Sequence, residues 1–281
     1  MPVSEASIAA LIDGVRETAR REIMPRFRNL DAAEIGTKSA PDDLVTVADQ
    51  ASEAAITDIA RRIFPGVEVV GEEAVAENPA LLDRIEGAET CVIVDPIDGT
   101  LNFVEGISVF GVIVAVVERG ETQFGLLYDP VNDDWVAGAK GQGAWFGRPD
   151  GTRRPLRTRA APVPAAATGL LGLRLYAPEY RGRLMDAYSG FRLVRALGAS
   201  CHDYRQVAMG QTDFAVSAGM KPWDHAAGVL ILEEAGGAVQ VGEGGRYAPH
   251  LSEGPILATG DATLLPAIAA AQAVVPGSRV G

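Results

Sequence analysis

Residues 92–103 read VIVDPIDGTLNF, an apolar strand pattern that ends in two aspartates three positions apart. Carboxylates beside a core are costly unless a cation, a set of hydrogen bonds or a catalytic task pairs with them. A single turn aspartate has an ordinary use, capping backbone amides, and Asp98 before Gly99 fits that use. It does not explain the repetition: Asp49, Glu72, Glu73, Asp95, Asp98 and Asp224 all stand beside small or apolar residues. A shared cation does. Asp and Glu without a Cys or His cluster select a hard ion such as magnesium, whereas zinc takes imidazole or thiolate, and the chain holds only His202, His225 and His250. An extended Asp95, a rigid Pro96 and a turn at Asp98 can present two carboxylates and the Ile97 carbonyl around one centre, with Asp95 shared by a second ion. Gly99 and Thr100 then open a short helix whose amides and hydroxyl suit an anion. Metal beside a phosphate seat points to phosphoryl chemistry, in which ions clamp oxygens and the protein positions them.

The elements that must position these groups are legible in outline. Apolar residues at helical spacing (Ile8, Leu11, Ile12, Val15, Ile23) predict a first helix, and a second runs from Val47 to Ile63. VEVVGEE (67–73) reads as a strand running into a loop, and CVIVDP (91–96) as a strand stopped by Pro96. ISVFGVIVAVV (107–117) reads as a buried strand, and ETQFGLLYDP and DWVAGAKGQGAWF continue an antiparallel meander. The Arg-, Pro- and Ala-rich stretch after 148 marks a crossing near 150–165, giving an N-terminal half 1–150 and a C-terminal half 151–281. The second half alternates short strands with helices at 178–188, 200–209 and 224–235.

Composition sets the outer limits. With 281 residues, 47% of them apolar, the chain can bury a sizeable core. Thirty-seven acidic against twenty-five basic residues give a net charge of −12, which disfavours general attraction to nucleic acid or anionic lipid. The N-terminus reads as an amphipathic helix with no signal-peptide pattern, and Cys91 and Cys201 read as buried free thiols. A cytoplasmic protein with no membrane or nucleic-acid partner is the expectation.

Taken together, KSAPDDLVTVAD (38–49), GEE (71–73), DPIDGTLNF (95–103), LGAS (197–200) and WDHAAGVLILEEAGG (223–237) resemble the inositol monophosphatase family of magnesium-dependent, lithium-sensitive phosphatases. The resemblance implies a layered αβαβα sandwich, shared with fructose-1,6-bisphosphatase, and a homodimer. It implies a first magnesium on Glu72, Asp95 and the Ile97 carbonyl and a second on Asp95, Asp98 and Asp224. It also implies a third, weaker ion near Glu72, with Asp49 close by. It further implies that Thr100, paired with Asp49, and Glu72 orient a metal-activated water for in-line attack, while the Gly99 and Thr100 amides hold phosphate. By the same resemblance Gly198, Ala199 and Ser200 would line the substrate side.

At the substrate end the chain departs from the family pattern. Relatives acting on inositol phosphate carry Glu seven residues before the WD aspartate and His three before it; here Ser217 and Lys221 stand there. Lys221 is either an exposed lysine before Pro222 or a contact for a second anionic group. The small phosphorylated metabolite is then an inositol phosphate, histidinol phosphate, fructose bisphosphate or 3′-phosphoadenosine 5′-phosphate. A non-catalytic protein-interaction role is the reading from another class. Lys38 is either solvated or reaches the metal site, and Glu73 is a surface or supporting acid. His225 is structural, since a helix turns it about 100° from Asp224. Cys201 beside His202 makes no thiol nucleophile, and GQGAWFG (141–147) lies in a meander and opens no helix, unlike a nucleotide loop.

Overall fold

The computed structural model describes residues 3–38, 40, 43–160, 163–242 and 244–275; Ser39, Pro41 and Asp42 of the KSAPDDL stretch lie outside them. Helix α1 (Glu5–Thr18) starts at Ser4, whose hydroxyl accepts the Ser7 N–H, and buries Ile8, Leu11, Ile12 and Val15. Its axis continues through a π-turn at Ala19–Ile23. Strands β1 (Ile35–Thr37) and β2 (Leu44–Thr46) form a small antiparallel pair that feeds directly into α2 (Val47–Ile63), the span predicted from periodicity.

A seven-stranded sheet follows, in the order β3 (Glu68–Gly71), β4 (Thr90–Asp98), β5 (Gly111–Glu118), β6 (Glu121–Asp129), β7 (Asp134–Ala139), β8 (Gly143–Gly147) and β9 (Arg153–Pro155). It is antiparallel except for β3 and β4, which run parallel from Glu68↔Cys91 to Gly71↔Val94. Short helices α3 (Glu72–Glu77), α4 (Arg84–Gly87) and α5 (Thr100–Val104) connect its first strands.

A five-stranded sheet makes the second layer, in the order β11 (Leu193–Arg195), β10 (Thr168–Leu171), β12 (Phe214–Ser217), β14 (Ile256–Thr259) and β13 (Ala238–Val241). Around it lie α6 (Pro178–Tyr188), α7 (Ser200–Ala208), α8 (Pro222–Glu234) and α9 (Leu265–Gln272).

Period-two alternation sorts the strands into layers. Val92, Val94, Val112 and Val114 face α1 and α2 in one cluster with Leu11, Val15 and Ile56. Ile93, Ile113, Leu127 and Val136 face the other way, onto Tyr204, Ala227 and Ile231 of α7 and α8, which also meet Leu170 and Ile256 of the second sheet. The far face of that sheet is covered by α6 and α9 through Leu184, Tyr188 and Ile268. The order is therefore αβαβα, as expected. Helix α8 is apolar on every side because it lies between two sheets.

Three expectations need correction. Pro96 does not stop β4, which continues to Asp98. Pairing with β3 has ended at Val94, and the register with β5 shifts between Asp95 and Asp98, so no ladder position requires the missing N–H. Glu72 begins a helix instead of a loop. The stretch 107–110 precedes β5, and Ile107 is exposed.

The contact that aims α8 is unusually close. A Cβ on Gly125 of β6 would lie 2.7 Å from the Ala227 carbonyl oxygen and 2.9 Å from its Cα. Gly125→Ala must push α8 off the sheet, at a cost of about 1–3 kcal/mol for overpacking. A lowered melting temperature is the expected result; an unchanged one would show that the helix is not held by this contact.

Candidate active site

Strand β4 and helix α8 deliver the three acids that meet. Asp95 and Asp98 end β4, and Asp224 lies in the first turn of α8, where the N-terminal helix dipole favours a carboxylate. One oxygen from each can be chosen so that all lie within 4.8 Å of one another. Asp95 is 2% exposed, and its Oδ1 is buried without a hydrogen bond. Asp98 accepts the Ser200 N–H at 3.0 Å and the Cys201 N–H at 2.6 Å, so it also caps α7. Burial first, and then mutual repulsion, push the carboxyls of Asp95 and Asp224 well above the usual range. Burial pushes Asp98 up to about 7, against the lowering effect of its two amide donors.

This cluster fits a hard cation. The donors are all oxygens, one buried oxygen has no partner, and imidazole and thiolate are otherwise engaged. His225 is buried, with Nδ1 3.0 Å from the Tyr204 hydroxyl and Nε2 3.0 Å from the Gly219 carbonyl. Cys201 is fully buried, and burial pushes its thiol up, while His202 Nε2 lies 2.9 Å from the Phe110 carbonyl.

Thr100 begins α5 directly after Gly99, whose φ of +87° favours glycine and whose added Cβ would lie 3.0 Å from Ala199 Cβ and 3.1 Å from the Val109 oxygen. The Thr100 hydroxyl lies 3.0 Å from the Ile97 carbonyl and 3.3 Å from Asp49 Oδ1. Asp49 in turn accepts the backbone N–H of Thr46 at 2.8 Å and its hydroxyl at 2.5 Å, the capping box of α2. Burial is the main reason its carboxyl rises to about 6.

Glu72 opens α3 and accepts from Lys38 Nζ at 2.9 Å, while Glu73 accepts from the same ammonium at 2.7 Å. Lys38 is thus engaged with the acids, its side chain only 13% exposed. Glu73 is pushed to about 7, chiefly by burial. Sequence reasoning passed over Glu53, which accepts the Glu73 and Ala74 N–H groups at 2.8 and 2.9 Å and so fixes the start of α3. The signal was present: Glu53 follows Asp49 by one helical turn on the buried face of α2. It also passed over Asn102, which donates to Val109 and Leu197 carbonyls at 2.7 and 2.8 Å and ties the Gly99 turn to the segment before α7.

A cavity of about 1610 Å³ brings the rest together: Glu72, Asp95, Ile97, Asp98, Gly99, Thr100, Gly198, Ala199, Ser200, Ser217, Lys221 and Asp224 all line it. Asp49 reaches it through Thr100. The Ser217 hydroxyl donates to the Gly219 carbonyl at 2.9 Å. The GQGAWFG turn is elsewhere, with Gly141 and Gly143 N–H groups bound to the Glu234 carboxylate, both at 2.7 Å.

A layered α+β sandwich whose large cavity holds three converging carboxylates, two of them buried, is a build suited to metal-assisted chemistry on a phosphate ester. Residues 4–275 match the sequence pattern of the Inositol monophosphatase family. The Escherichia coli K12 protein named Nus factor SuhB is 33% identical over 230 residues, which is 79% of this chain and 80% of that protein. The Bacillus subtilis inositol-1-monophosphatase is 32% identical over 231 residues, 82% and 83% of the two chains. A solved IMPase from Thermotoga maritima superposes with a TM-score of 0.82 at 25% identity, over 96% of this chain and 98% of that one. The chain belongs to the inositol monophosphatase family and is a phosphatase of small phosphorylated substrates. Among the described residues no helix is long and apolar enough to cross a membrane.

Proposed function

We propose that the protein hydrolyses a phosphate monoester of the inositol 1-phosphate type with two to three magnesium ions, by in-line attack of water and inhibition by lithium. The observation that carries this reading is the convergence of Asp95, Asp98 and Asp224 within 4.8 Å of one another, with one buried Asp95 oxygen left without a partner, next to the Gly99–Thr100 turn. Glu72, Asp95 and the Ile97 carbonyl would hold one ion; Asp95, Asp98 and Asp224 a second; Glu72, with Asp49 near it, a weaker third. Bound magnesium supplies a clamp on phosphoryl oxygens and lowers the pKa of the attacking water. The protein's own groups do the positioning. The Thr100 hydroxyl, directed toward Asp49 or the Ile97 carbonyl, keeps a lone pair for water. Glu72 orients the same water, and the Gly99 and Thr100 amides hold phosphate. Gly198, Ala199, Ser200 and Ser217 wall the side of the leaving alcohol.

Lys221 lines this cavity, which supports a contact to a second anionic group on bisphosphate substrates. A charge-assisted bond of that kind contributes about 1.5–3 kcal/mol. Lys221→Ala should therefore lower the kcat/KM ratio of fructose 1,6-bisphosphate or a 3′,5′-nucleotide bisphosphate to inositol 1-phosphate by about tenfold or more. Phosphate release across that panel plus histidinol phosphate, with and without magnesium and lithium, tests the whole reading. Equal loss on mono- and bisphosphates removes the anion role of Lys221.

The likeness to a protein named Nus factor supports a second reading, a partner-binding role beside catalysis. A pull-down that recovers no stoichiometric partner removes it. The proposal includes a homodimer, tested by light scattering, and a cytoplasmic setting, supported by the two free buried cysteines.

A further inference from the structure

Glu72 is carried to the acid cluster by an element with little to hold it. Strand β3 ends where Gly71 pairs with Val94, so Glu72 leaves the sheet next to Asp95. Helix α3, which Glu72 begins, has six residues and buries only Val75, and a helix that short is marginal by itself. Its N-cap is Gly71, which has no side chain to take the first amides of the helix. The Lys38 ammonium does hold the Glu72 carboxylate, but it competes with a cation for the same group. What holds α3 in the metal-bound protein has to come from elsewhere.

It comes from α2. Glu53 lies one turn beyond Asp49 on the buried face of that helix and is 7% exposed. Its two oxygens accept the N–H groups of Glu73 and Ala74 at 2.8 and 2.9 Å. With Gly71 as N-cap, these are the second and third residues of α3, the two whose amides a serine or aspartate N-cap would take. Glu53 therefore caps α3 from 20 residues away in the chain. The glycine is part of the arrangement, because a Cβ on Gly71 would overlap the Glu53 carboxylate. Gly71 has φ −104° and ψ 155°, extended backbone that any residue adopts and that N-caps favour. Glycine stands there for the space beside it, which the carboxylate fills.

We propose that Glu53 is a positioning residue for the metal centre. It caps α3 in place of the side chain that Gly71 lacks, and so sets the affinity for the ions that use Glu72 without acting on the ion held by Asp98 and Asp224. The inference rests on the phosphatase reading above and adds to it a residue that touches neither metal nor substrate.

The test is calorimetric magnesium binding, without substrate, by the full-length protein and its variants, with Glu72→Gln marking which binding event belongs to Glu72. Glu53→Ala should weaken that event by about tenfold or more, the range expected when a partner that orients a metal ligand is lost, and leave the other unchanged. Glu53→Gln, which keeps the volume and one acceptor oxygen, should fall between. Gly71→Ala should act like Glu53→Ala, because the added methyl displaces the carboxylate. The decisive variant combines Glu53→Ala with Gly71→Ser, in which the serine hydroxyl accepts an α3 amide from the space the carboxylate has left. It should recover a large part of the lost affinity, whereas a packing role for Glu53 predicts that the second substitution adds to the damage. Melting curves establish that each variant is folded; should Glu53→Ala not fold, Glu53→Gln and the double variant carry the same comparison. Unchanged affinity in the Glu53 variants, equal weakening of both binding events, or a double variant no better than Glu53→Ala would overturn the proposal. If the unaltered protein binds magnesium but releases no phosphate from any ester, the phosphatase reading fails while these comparisons still decide the role of Glu53. If it binds no magnesium, both fail.

Discussion

Asp95→Asn should abolish magnesium-dependent phosphate release and at the same time make the metal-free protein harder to melt. Asp95 is the acid that both proposed ions share, and its Oδ1 is buried with no partner of its own. Stabilisation of a phosphoryl transition state by bound metal amounts to several kcal/mol, and each 1.36 kcal/mol is tenfold in rate, so a loss of about 10³-fold or more is expected. The opposite sign for stability follows from burial and repulsion. Without metal, Asp95 is pressed by desolvation and then by Glu72, Asp98 and Asp224. An amide of the same shape removes one of these charges. A gain of about 1 kcal/mol in a chain of this size raises the melting temperature by about 2–4 °C. Loss of activity together with a lowered melting temperature would instead mean that Asp95 holds the fold and not the ion.

The second large effect is the pH dependence of stability. The folded-state carboxyl of Asp98 is raised to about 7 and that of Asp49 to about 6, with Asp95 and Asp224 also raised, against an unfolded value of about 3.9. The folded protein therefore holds protons that the unfolded chain has released. Their contribution to stability is fully present below about pH 4 and is lost as pH rises through about 7. Magnesium must displace those same protons to bind, so its benefit runs the other way. Melting temperatures with and without magnesium should diverge progressively from about pH 5 to pH 8, the metal-bound protein being the more stable. A magnesium increment that stays flat across this range would show that the cluster is not where the ion binds.

Much of the site could be read from the chain because its signals are local. The apolar run before Asp95 announces a buried strand, so the carboxylates at its end stand out, and the Thr46–Asp49 capping box sits at the helix start that periodicity predicts. What was misread depends on partners distant in sequence. Pro96 reads as a stop only if a ladder needs its N–H, and the end of β3 and the bulge against β5 remove that need. Glu72 reads as loop because α3 is a six-residue helix capped by Glu53, from another element. Lys38 gives no local sign that it will bridge Glu72 and Glu73. Strand β11 is three residues long and forms only where β10 lies beside it.

The most direct test of the central claim is phosphate release from inositol 1-phosphate against magnesium concentration, for the unaltered protein and for Asp95→Asn. The account predicts saturable, magnesium-dependent release by the former and release lower by about 10³-fold by the latter at any magnesium concentration. Comparable magnesium-dependent release by both would contradict it.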